Sequence, residues 1–582
     1  MGINQSDLSA SQFGYDFVVA TTLESLNSTL FEFLENGNMP VINQYYWYDD
    51  QANTPVEVDL NTLKTTPQSK NNPSGTDGVD PATVANWNGM GTAPNGISNI
   101  GGSSLACGFT AQIGIPPGFA LPGAPNPANL PVLPNIVSFD QTSMSVIFNM
   151  YCSSFQVFQP AWSRTGISSY MNQSQPSGAA WFLQTTIPIN KILDNSNLPQ
   201  AVQNQLNAMG SEFNVQRLFI DLDQPSKASV SSVNFGGIQP GSALQTTIAE
   251  VFSGIYCSSL NQSGLPALGY AILPKLQPTI EIMDVDSIRL GSMEIEIVPF
   301  SDTTGAGNTL PGLDTFNYLC SQKATVPPAN QLTWNWFDTQ ADASQYSGVV
   351  AINRNALIQW LEPNILKFAK ICCFSPSVTV SLSGGAADYS WSLSGNQSPT
   401  VTYPSPGSQV LQLSWNSPTA SDQAGLNGDV GKMDMSSSYS ATVDFSGNTI
   451  TITQNLVIYI SVTGTFNVSA SGNVVNRTIT DTYTLDVTQA GELSVASSST
   501  TTDNPNIDYP SSFRNFWGSD ITDIENDAAS WAVQLVATNF KDIPVSAIKK
   551  FIFPGGNTFA YASVSFSDNQ DLVSHITYTN PA

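Results

Sequence analysis

The sequence predicts an α+β protein that is dominated by β-structure. Short segments in which apolar and polar residues alternate recur along most of the chain, and a few amphipathic helices stand between them. Turn-forming residues are abundant, with 42 Gly and 37 Pro in 582 residues. Charged residues make up 11% of the chain, less than half of the usual share of about 25%. The surface must therefore consist mainly of uncharged polar side chains.

The first helix is predicted directly after a short apolar strand, in the stretch GYDFVVATTLESLNSTLFEFLEN that begins at Gly14. Thr22 has the side chain of an N-cap. At 100° per residue the apolar positions fall within an arc of roughly 160°. These positions are Leu23, Leu26, Leu30, Phe31, Phe33 and Leu34. We expect a helix with one unusually wide apolar face that packs against a sheet.

Two further helices are predicted, over 353–371 and 523–540. Asn353 is suited to cap the first of them, and Pro363 should kink it or begin a second helix. Its apolar positions are Leu357, Trp360, Leu361, Ile365, Phe368 and Ile371. On the last helix Trp531 and Leu535 share a face. Residues 376–502 between these helices have the pattern of β-hairpins.

This order suggests two units of similar build. A helix followed by a broad antiparallel sheet occurs in 1–300 and again in 349–582, and loop-rich residues 301–348 connect the two. The two units share no strict sequence repeat, so the pattern predicts similar architecture and does not establish duplication.

The charge balance excludes some classes of partner. With 18 basic and 44 acidic residues the net charge is -26, which repels phosphate, and the sequence has no run of Lys and Arg. We therefore expect no nucleic-acid partner and no docking on anionic membranes through basic residues.

The six cysteines do not form a disulfide framework, and we expect buried thiols.

Targeting signals are weak. No apolar run reaches the roughly 18 residues of a membrane span, and the N-terminus has no basic region of a signal peptide. We expect a cytoplasmic protein, or one exported without a recognisable signal. The start MGINQS matches the short pattern for acylation of Gly2, although one acyl chain anchors only marginally.

Catalytic signals are also weak. The chain has one histidine, His575, and a Ser-Asp-His order exists without the G-x-S-x-G turn that presents a serine. The metal motifs H-E-x-x-H and C-x-x-C are absent, and the stretch from Asp284 to Gly291 matches a calcium loop only in part. We expect no catalytic residue, no metal and no cofactor.

Paired carboxylates leave a glycosidase formally open. Glu294 and Glu296 would share one strand face, as would Asp221 and Asp223. Neighbouring carboxylates on a strand are more typical of a solvated row, and sequence does not give the separation across a cleft that such enzymes need. We therefore expect a protein that is not an enzyme.

Three stretches carry a resemblance to a known family. The opening GYDFVVATTLESLN, the mid-chain LGYAILPK and the closing FIFPGGNTFAYASVSFSDNQDLVSHITY resemble the OrfX and forty-seven-kilodalton (P-47) proteins encoded beside clostridial neurotoxins. The resemblance is strongest at the two ends of the chain. It implies the tubular lipid-binding (TULIP) fold, in which long curved antiparallel sheets wrap around long helices in two lobes. The helices at 22–36 and at 353–371 or 523–540 would then be the wrapped elements.

Two main hypotheses about function follow. The first is non-enzymatic binding of a lipid or another apolar small molecule in a groove between helix and sheet. The groove would be lined by Leu26, Leu30, Phe33, Leu361, Ile365, Phe368, Trp531 and Leu535, which would otherwise be solid core. The alternative is an accessory or structural component of a toxin-like or defence assembly. A carbohydrate-active enzyme or a lectin that uses Trp47 or the acidic pairs is a third hypothesis.

Overall fold

The structure is a computed structural model. It describes residues 2–36, 41–48, 55–59, 105–140, 145–163, 166–193, 213–220, 267–274, 292–300, 311–323, 330, 332–337, 339–383, 386–405, 407–426, 429–464, 468–491, 493–508 and 558–579. Within these ranges three α-helices are present: α1 Leu23–Asn36, α2 Gln340–Gln345 and α3 Arg354–Cys372. Single turns of 3-10 helix span Gly2–Gln5 and Pro311–Leu313. The helix expected over 523–540 lies outside the described residues.

The strands of these ranges pair only in antiparallel fashion, apart from one isolated parallel bridge. In chain order they are β1 Phe17–Thr22, β2 Val41–Tyr48, β3 Pro55–Glu57, β4 Leu105–Ile113, β5 Val137–Asp140, β6 Ser145–Ser163, β7 Gly166–Ser174, β8 Phe182–Leu193, β9 Phe213–Ile220, β10 Ala267–Pro274, β11 Ser292–Val298, β12 Thr315–Ser321, β13 Gly348–Ile352, β14 Ser375–Ser383, β15 Ala386–Ser394, β16 Thr400–Thr402, β17 Gln409–Asn416, β18 Ala420–Leu426, β19 Asp429–Ser446, β20 Thr449–Thr463, β21 Ser469–Val487, β22 Leu493–Asp503, β23 Asn506–Asp508, β24 Thr558–Tyr561, β25 Ser565–Phe566 and β26 Leu572–Thr579. A fold dominated by antiparallel sheets is therefore confirmed.

Strands that are far apart in sequence meet in a seven-stranded sheet, which we call the central sheet. Its order is β11-β12-β1-β13-β26-β24, with β25 paired to β26. The sheet takes strands from each of the three segments 1–300, 301–348 and 349–582. The other described strands form sheets of nine, two and eight strands. The division of the chain into two lobes with a connector, and the wrapping of sheets around helices, stay predictions.

Both faces of the central sheet are covered. Every residue of β1 is buried, and its side chains alternate between two apolar clusters because successive side chains of a strand point to opposite faces. Phe17 and Val19 belong to the larger cluster, which also contains the apolar faces of α1 and α3. Val18 and Ala20 belong to a smaller one, the N-terminal cluster, with Leu8, Phe13, Tyr15, Leu332, Trp334 and Trp336 among its members. The chain therefore has apolar layers on both sides of β1.

Helix α1 begins as the sequence predicts. The backbone N–H of Ser25 donates to the Thr22 hydroxyl at 3.2 Å, which satisfies one of the free donors of the first turn. Five apolar positions are buried: Leu23, Leu26, Leu30, Phe31 and Leu34. Asn27 lies on this buried side, where its amide exchanges hydrogen bonds with the backbone of Val137 on β5, each at 2.9 Å. This pair links the helix to the nine-stranded sheet.

Helix α3 also begins at its predicted cap. The Asn353 side chain accepts a hydrogen bond from the N–H of Asn355 at 2.8 Å. The helix continues through Pro363 to Cys372, so Pro363 does not begin a second helix. Leu357, Leu361 and Ile365 are buried on the side that meets strands β17 and β19.

Strands β19 to β22 form the long hairpins expected from 376–502. In β20 buried and half-buried residues alternate almost without interruption. The buried row contains Ile450, Ile452, Leu456, Ile458, Ile460 and Val462. It packs in the same cluster as helix α3. The alternation of apolar and polar residues along the sequence therefore determines which face of this sheet packs into the core.

One buried carboxylate joins three distant parts of the chain. Asp571 has no exposed surface. Its Oδ2 accepts hydrogen bonds from the Ser6 hydroxyl at 2.8 Å and from the Leu8 N–H at 2.6 Å, and its Oδ1 accepts from the Arg354 N–H at 3.0 Å. Burial raises the pKa of Asp571 to about 6, against the opposing effect of these donors. The contacts hold the N-terminal segment, the start of α3 and the closing hairpin together.

Replacement of Asp571 by Ala should destabilise the protein by about 3 kcal/mol or more, since each buried donor left without an acceptor costs about 1–3 kcal/mol. Urea unfolding at pH 7.5 followed by tryptophan fluorescence measures the change. Asp388→Ala, at an exposed position of β15, is the matched control and should stay within about 0.5 kcal/mol of the parent. An Asp571→Ala protein as stable as this control would contradict the structural role of the carboxylate.

Candidate functional site

The structure brings four of the predicted groove residues into one apolar cluster. Leu26 and Leu30 on α1 and Leu361 and Ile365 on α3 are buried members of the larger cluster. Phe368 is half-buried. The side chain of Phe33, and all of Trp531 and Leu535, lie outside the described residues. Burial of this kind is required both of a packed core and of an enclosed apolar groove, so the assignment of these residues to a ligand stays a prediction.

Polar groups interrupt the buried face of the eight-stranded sheet at one point. The Tyr439 hydroxyl donates to Gln454 Oε1 at 2.9 Å, and Gln454 Nε2 lies 3.5 Å from Asp481 Oδ2. Asp481 Oδ1 is buried and accepts no hydrogen bond from the described part of the chain. Burial raises the pKa of Tyr439 well above its ordinary value, so this phenol stays a donor. Gln454 therefore occupies a buried position of β20 at which the alternating pattern of the strand predicts an apolar residue.

Glu296 is buried, which corrects the expectation of a solvated row of carboxylates on β11. Glu294 is exposed, whereas Glu296 is only 7% exposed. The N–H of Leu332 donates to Glu296 Oε1 at 3.2 Å, and Oε2 has no partner in the described ranges. Residues 332–337 cover this part of β11 and remove Glu296 from water. The sequence shows the shared face of the two carboxylates but not the segment that covers one of them.

Burial changes the protonation of Glu296. Loss of hydration raises its pKa to about 8, and the single hydrogen bond from Leu332 lowers the pKa only in part. At neutral pH the side chain is therefore mostly a neutral acid. In this state Glu296 would act as a hydrogen-bond donor and not as a base.

A polar pocket of about 430 Å³ lies beside this segment. The N-terminal segment, residues 333–334 and the turn at 568–569 form its wall. Its lining residues are Gln5, Asp7, Gln12, Phe13, Thr333, Trp334, Asp568 and Asn569. Sequence reasoning did not identify this site, because each segment contributes only isolated polar residues that no spacing rule connects.

Hydrogen bonds hold the pocket wall in place. The N–H of Asp568 donates to the carbonyl of Asn4 at 2.9 Å, and Asn569 Nδ2 donates to the carbonyl of Ser6 at 3.2 Å. The Ser9 hydroxyl donates to Asp7 Oδ1 at 3.1 Å. Asp571 then connects the same segment to α3. The Asp568 backbone and the Asn569 side chain therefore tie the closing hairpin to the N-terminal segment, whereas the Asp7 carboxylate is held within that segment.

The indole N–H of Trp334 is left without an acceptor among the described residues. The side chain is 5% exposed, and its ring meets Phe13 and Trp336 edge to face. A buried donor without an acceptor costs about 1–3 kcal/mol.

The single histidine lies on β26 in contact with a serine. The Ser563 hydroxyl and His575 Nδ1 are 2.8 Å apart. Tyr346 stacks on the ring with 4.2 Å between centroids, and Phe337 lies beside it. Burial lowers the pKa of His575, and Asp342 raises it by a smaller amount. The described part of the chain therefore shows a Ser-His pair, with no carboxylate of that part hydrogen-bonded to the imidazole.

The described residues test some of the remaining predictions, which concern the cysteines, a metal site, membrane spans and Gly2. Cys107, Cys152, Cys320, Cys372 and Cys373 are buried free thiols, as expected. Among the described residues no group of three or more His, Cys, Asp and Glu side chains could hold a metal ion. The helices of those same ranges are all too short or too polar to cross a membrane. Gly2 lies in the first 3-10 turn, and its acylation stays a prediction.

Comparisons with known proteins add little to these observations. No protein-family model matches the chain, and no curated protein matches it. A solved structure described as a lipopolysaccharide binding protein matches at 7% sequence identity, over 98% of this chain and 99% of that chain, with a TM-score of 0.26. A likeness at this TM-score carries no argument about fold or function. Membership of the OrfX and P-47 family stays a prediction.

The raised pKa of Glu296 predicts a pH dependence of stability. In the unfolded chain the carboxyl ionises near its ordinary pKa of 4.5, whereas in the fold it holds its proton to about pH 8. The unfolded state therefore binds fewer protons in this interval, and each pH unit lowers stability by up to about 1.4 kcal/mol. Glu296→Gln removes this contribution, so its stability relative to the parent should rise from pH 5 to 8 and level off above.

Urea unfolding at half-unit pH steps measures this difference. Glu294→Gln, at an exposed position of the same strand face, is the matched control. A parallel pH profile for Glu296→Gln and the parent would contradict a buried neutral acid at this position.

Proposed function

We propose that this chain is a non-enzymatic protein that binds a lipid or another apolar small molecule in the interior between its helices and sheets. One observation carries the proposal: the apolar faces of α1 and α3 belong to a single buried cluster with long antiparallel strands. A ligand enclosed there would bind by removal of apolar surface from water, worth roughly 25 cal/mol per Å². Few polar contacts would be needed.

An uncharged loop supports access to lipid. Residues 115–136 contain no charged side chain in a chain of net charge -26. Leu130 is 39% and Val132 is 55% exposed. Asn126 holds the loop, since its Nδ2 donates to the Leu130 carbonyl at 2.7 Å and the Leu130 N–H donates to its Oδ1 at 2.9 Å. A loop that presents apolar side chains from such a turn suits transfer of a ligand at a neutral lipid surface.

The surroundings of the histidine support a non-enzymatic role. His575 is enclosed by Tyr346 and Phe337, a packing contact on a strand of the central sheet. Within the described ranges no carboxylate hydrogen-bonds to the imidazole that contacts Ser563. The carboxyl of Glu296 is buried in the protein interior.

Native mass spectrometry of protein purified without detergent tests the proposal directly. We expect a bound species of lipid mass that displaces, and is displaced by, fluorescent fatty acids. Phe368→Ala should lower the bound fraction, because this half-buried side chain of α3 was predicted to line the groove. Gln359→Ala, at an exposed position of the same helix, is the control. A ligand-free protein that also ignores fatty acids and phospholipids would contradict the proposal.

The exposed loop predicts association with neutral lipid vesicles. Leu130→Ser combined with Val132→Ser should weaken flotation with phosphatidylcholine vesicles by about tenfold or more, since burial of each side chain is worth about 1.5–3 kcal/mol. Val41→Ser removes a valine of similar exposure, 53%, and should bind as the parent does. Equal flotation of both variants would assign the loop another role, such as contact with a protein of an assembly.

A further inference from the structure

We infer that strand β22 pairs with the same strand of a second copy of this chain and so joins two eight-stranded sheets into one. The strand, Leu493–Asp503, lies at the end of its sheet. The proposed lipid would lie on the inner side of this sheet, whereas the pairing would use the backbone of its edge. Neither proposal therefore depends on the other.

The outer side of β22 has no partner among the described strands. The strand pairs with β21 in unbroken register, from Val487↔Leu493 to Arg477↔Asp503, and the order of the sheet ends there. Alternate residues of an edge strand direct their backbone N–H and C=O groups away from the sheet, where another strand can pair with them. Of the described strands that pair on one side only, β22 is the longest, with 11 residues.

Every other described edge strand has a feature that hinders further pairing. Some are short, such as β3 and β16 with three residues each and β24 with four. The longer ones carry a charged side chain, a proline or a bulge: Glu294 on β11, Asp422 on β18, Asp388 on β15, Pro376 on β14, and bulges in β7 and β10. Such features are how sheets avoid pairing at their edges. From Leu493 to Thr502, β22 has none of them.

The side chains of β22 make the strand complementary to itself. The segment from Leu493 to Thr502 reads LSVASSSTTT, and its residues from Ala496 onward are exposed on both faces of the strand. Hydroxyl groups both donate and accept hydrogen bonds, and Ser and Thr side chains that face each other across antiparallel strands stabilise the pair. A two-fold axis near Ser498 would place Ala496 opposite Thr500 and Ser494 opposite Thr502. A single strand thus supplies both halves of an isologous interface.

The charge of the chain favours this strand over others for contact between copies. Two copies that each carry a net charge of -26 repel one another. An interface between them must therefore lie where acidic side chains do not face each other. The ten residues from Leu493 to Thr502 carry no charge, and no side chain among them would select a strand of opposite charge from another protein.

The end of the uncharged segment is also defined. Arg477 on β21 donates from Nε and Nη2 to the two carboxylate oxygens of Asp503 at 2.5 and 2.9 Å, which neutralises that side chain. Beyond it the edge continues as β23, which pairs with β21 at residues 471–473. Pro505 and Asp508 lie on this continuation, and both residue types oppose the addition of a strand. The pairing would therefore end near Thr502.

Sedimentation velocity of the full chain over a range of micromolar concentrations tests the inference. We expect a dimer whose fraction rises with concentration. Added salt should strengthen this dimer, because salt screens the repulsion between two acidic chains and the interface itself contains no ion pair. A parent protein that stays monomeric would overturn the inference, even if its edge binds extended peptides of another sequence. A dimer that dissociates on addition of salt would do the same.

Variants locate the interface. Ser498→Lys combined with Thr500→Lys should weaken association by about tenfold or more, since like charges would face each other across the two-fold axis. Gln412→Lys combined with Ser440→Lys adds the same charge at exposed positions of β17 and β19, where each strand is paired on both sides. This control should associate at least as strongly as the parent. Equal dimer fractions in the edge variant and the control would overturn the inference.

A charge-swap experiment separates loss of the interface from loss of the fold. Ser498→Glu combined with Thr500→Glu should weaken association as the lysine variant does. A mixture of the lysine and glutamate variants should recover a dimer at least as stable as that of the parent, because opposite charges would then face each other. Two edge variants that dimerise alone, or a mixture that remains monomeric, would overturn the pairing of β22 with its own copy. Lipid retention would be unaffected by either result.

Discussion

The buried carboxylate of Asp571 is the contact on which the arrangement of the described chain depends. Three donors converge on it from the N-terminal segment and from the first residue of α3. Asn353, at the start of the same helix, donates from Nδ2 to the carbonyls of Leu8 and Tyr15 at 2.9 and 2.8 Å. A carboxylate without water must be surrounded by donors, and here those donors come from the N-terminal segment and from the middle of the chain, whereas Asp571 lies near the other end. The polar pocket beside Trp334 lies along this junction.

The layers on the two faces of the central sheet account for the burial of Glu296. Both of its faces are covered, by the larger cluster on one side and the N-terminal cluster on the other. On β11, Ile295 and Ile297 point toward the first, so Glu296 must point toward the second. There Leu332, Trp334 and Trp336 exclude water from it. The same layer packs around His575 and forms part of the pocket wall, so the acid, the histidine and the pocket share one environment.

Local features of the sequence were predicted well. The start of α1 at Thr22 and of α3 at Asn353 followed from capping chemistry, which involves residues two or three apart. The apolar face of α1 and the hairpins of β19 to β22 followed from periodicity. The burial of Glu296 was not predicted, because the segment that covers it lies beyond the next strand along the chain. The pocket and the contacts of Asp571 were not predicted either, since Ser6 and Asp571 are separated by 565 positions and no periodic pattern links them.

The sequence by itself determined the kinds of secondary-structure element, namely a β-dominated chain and helices with one apolar face. It also determined which functional side chains are rare, since the chain has one histidine and few basic residues. These follow from the order of neighbouring residues and from composition. The tertiary structure decided which carboxylates lose water, which donors meet Asp571 and which segments line the polar pocket. The physical reason is that hydration is removed by whatever packs on top of a group, and in this fold the covering residues come from distant parts of the chain.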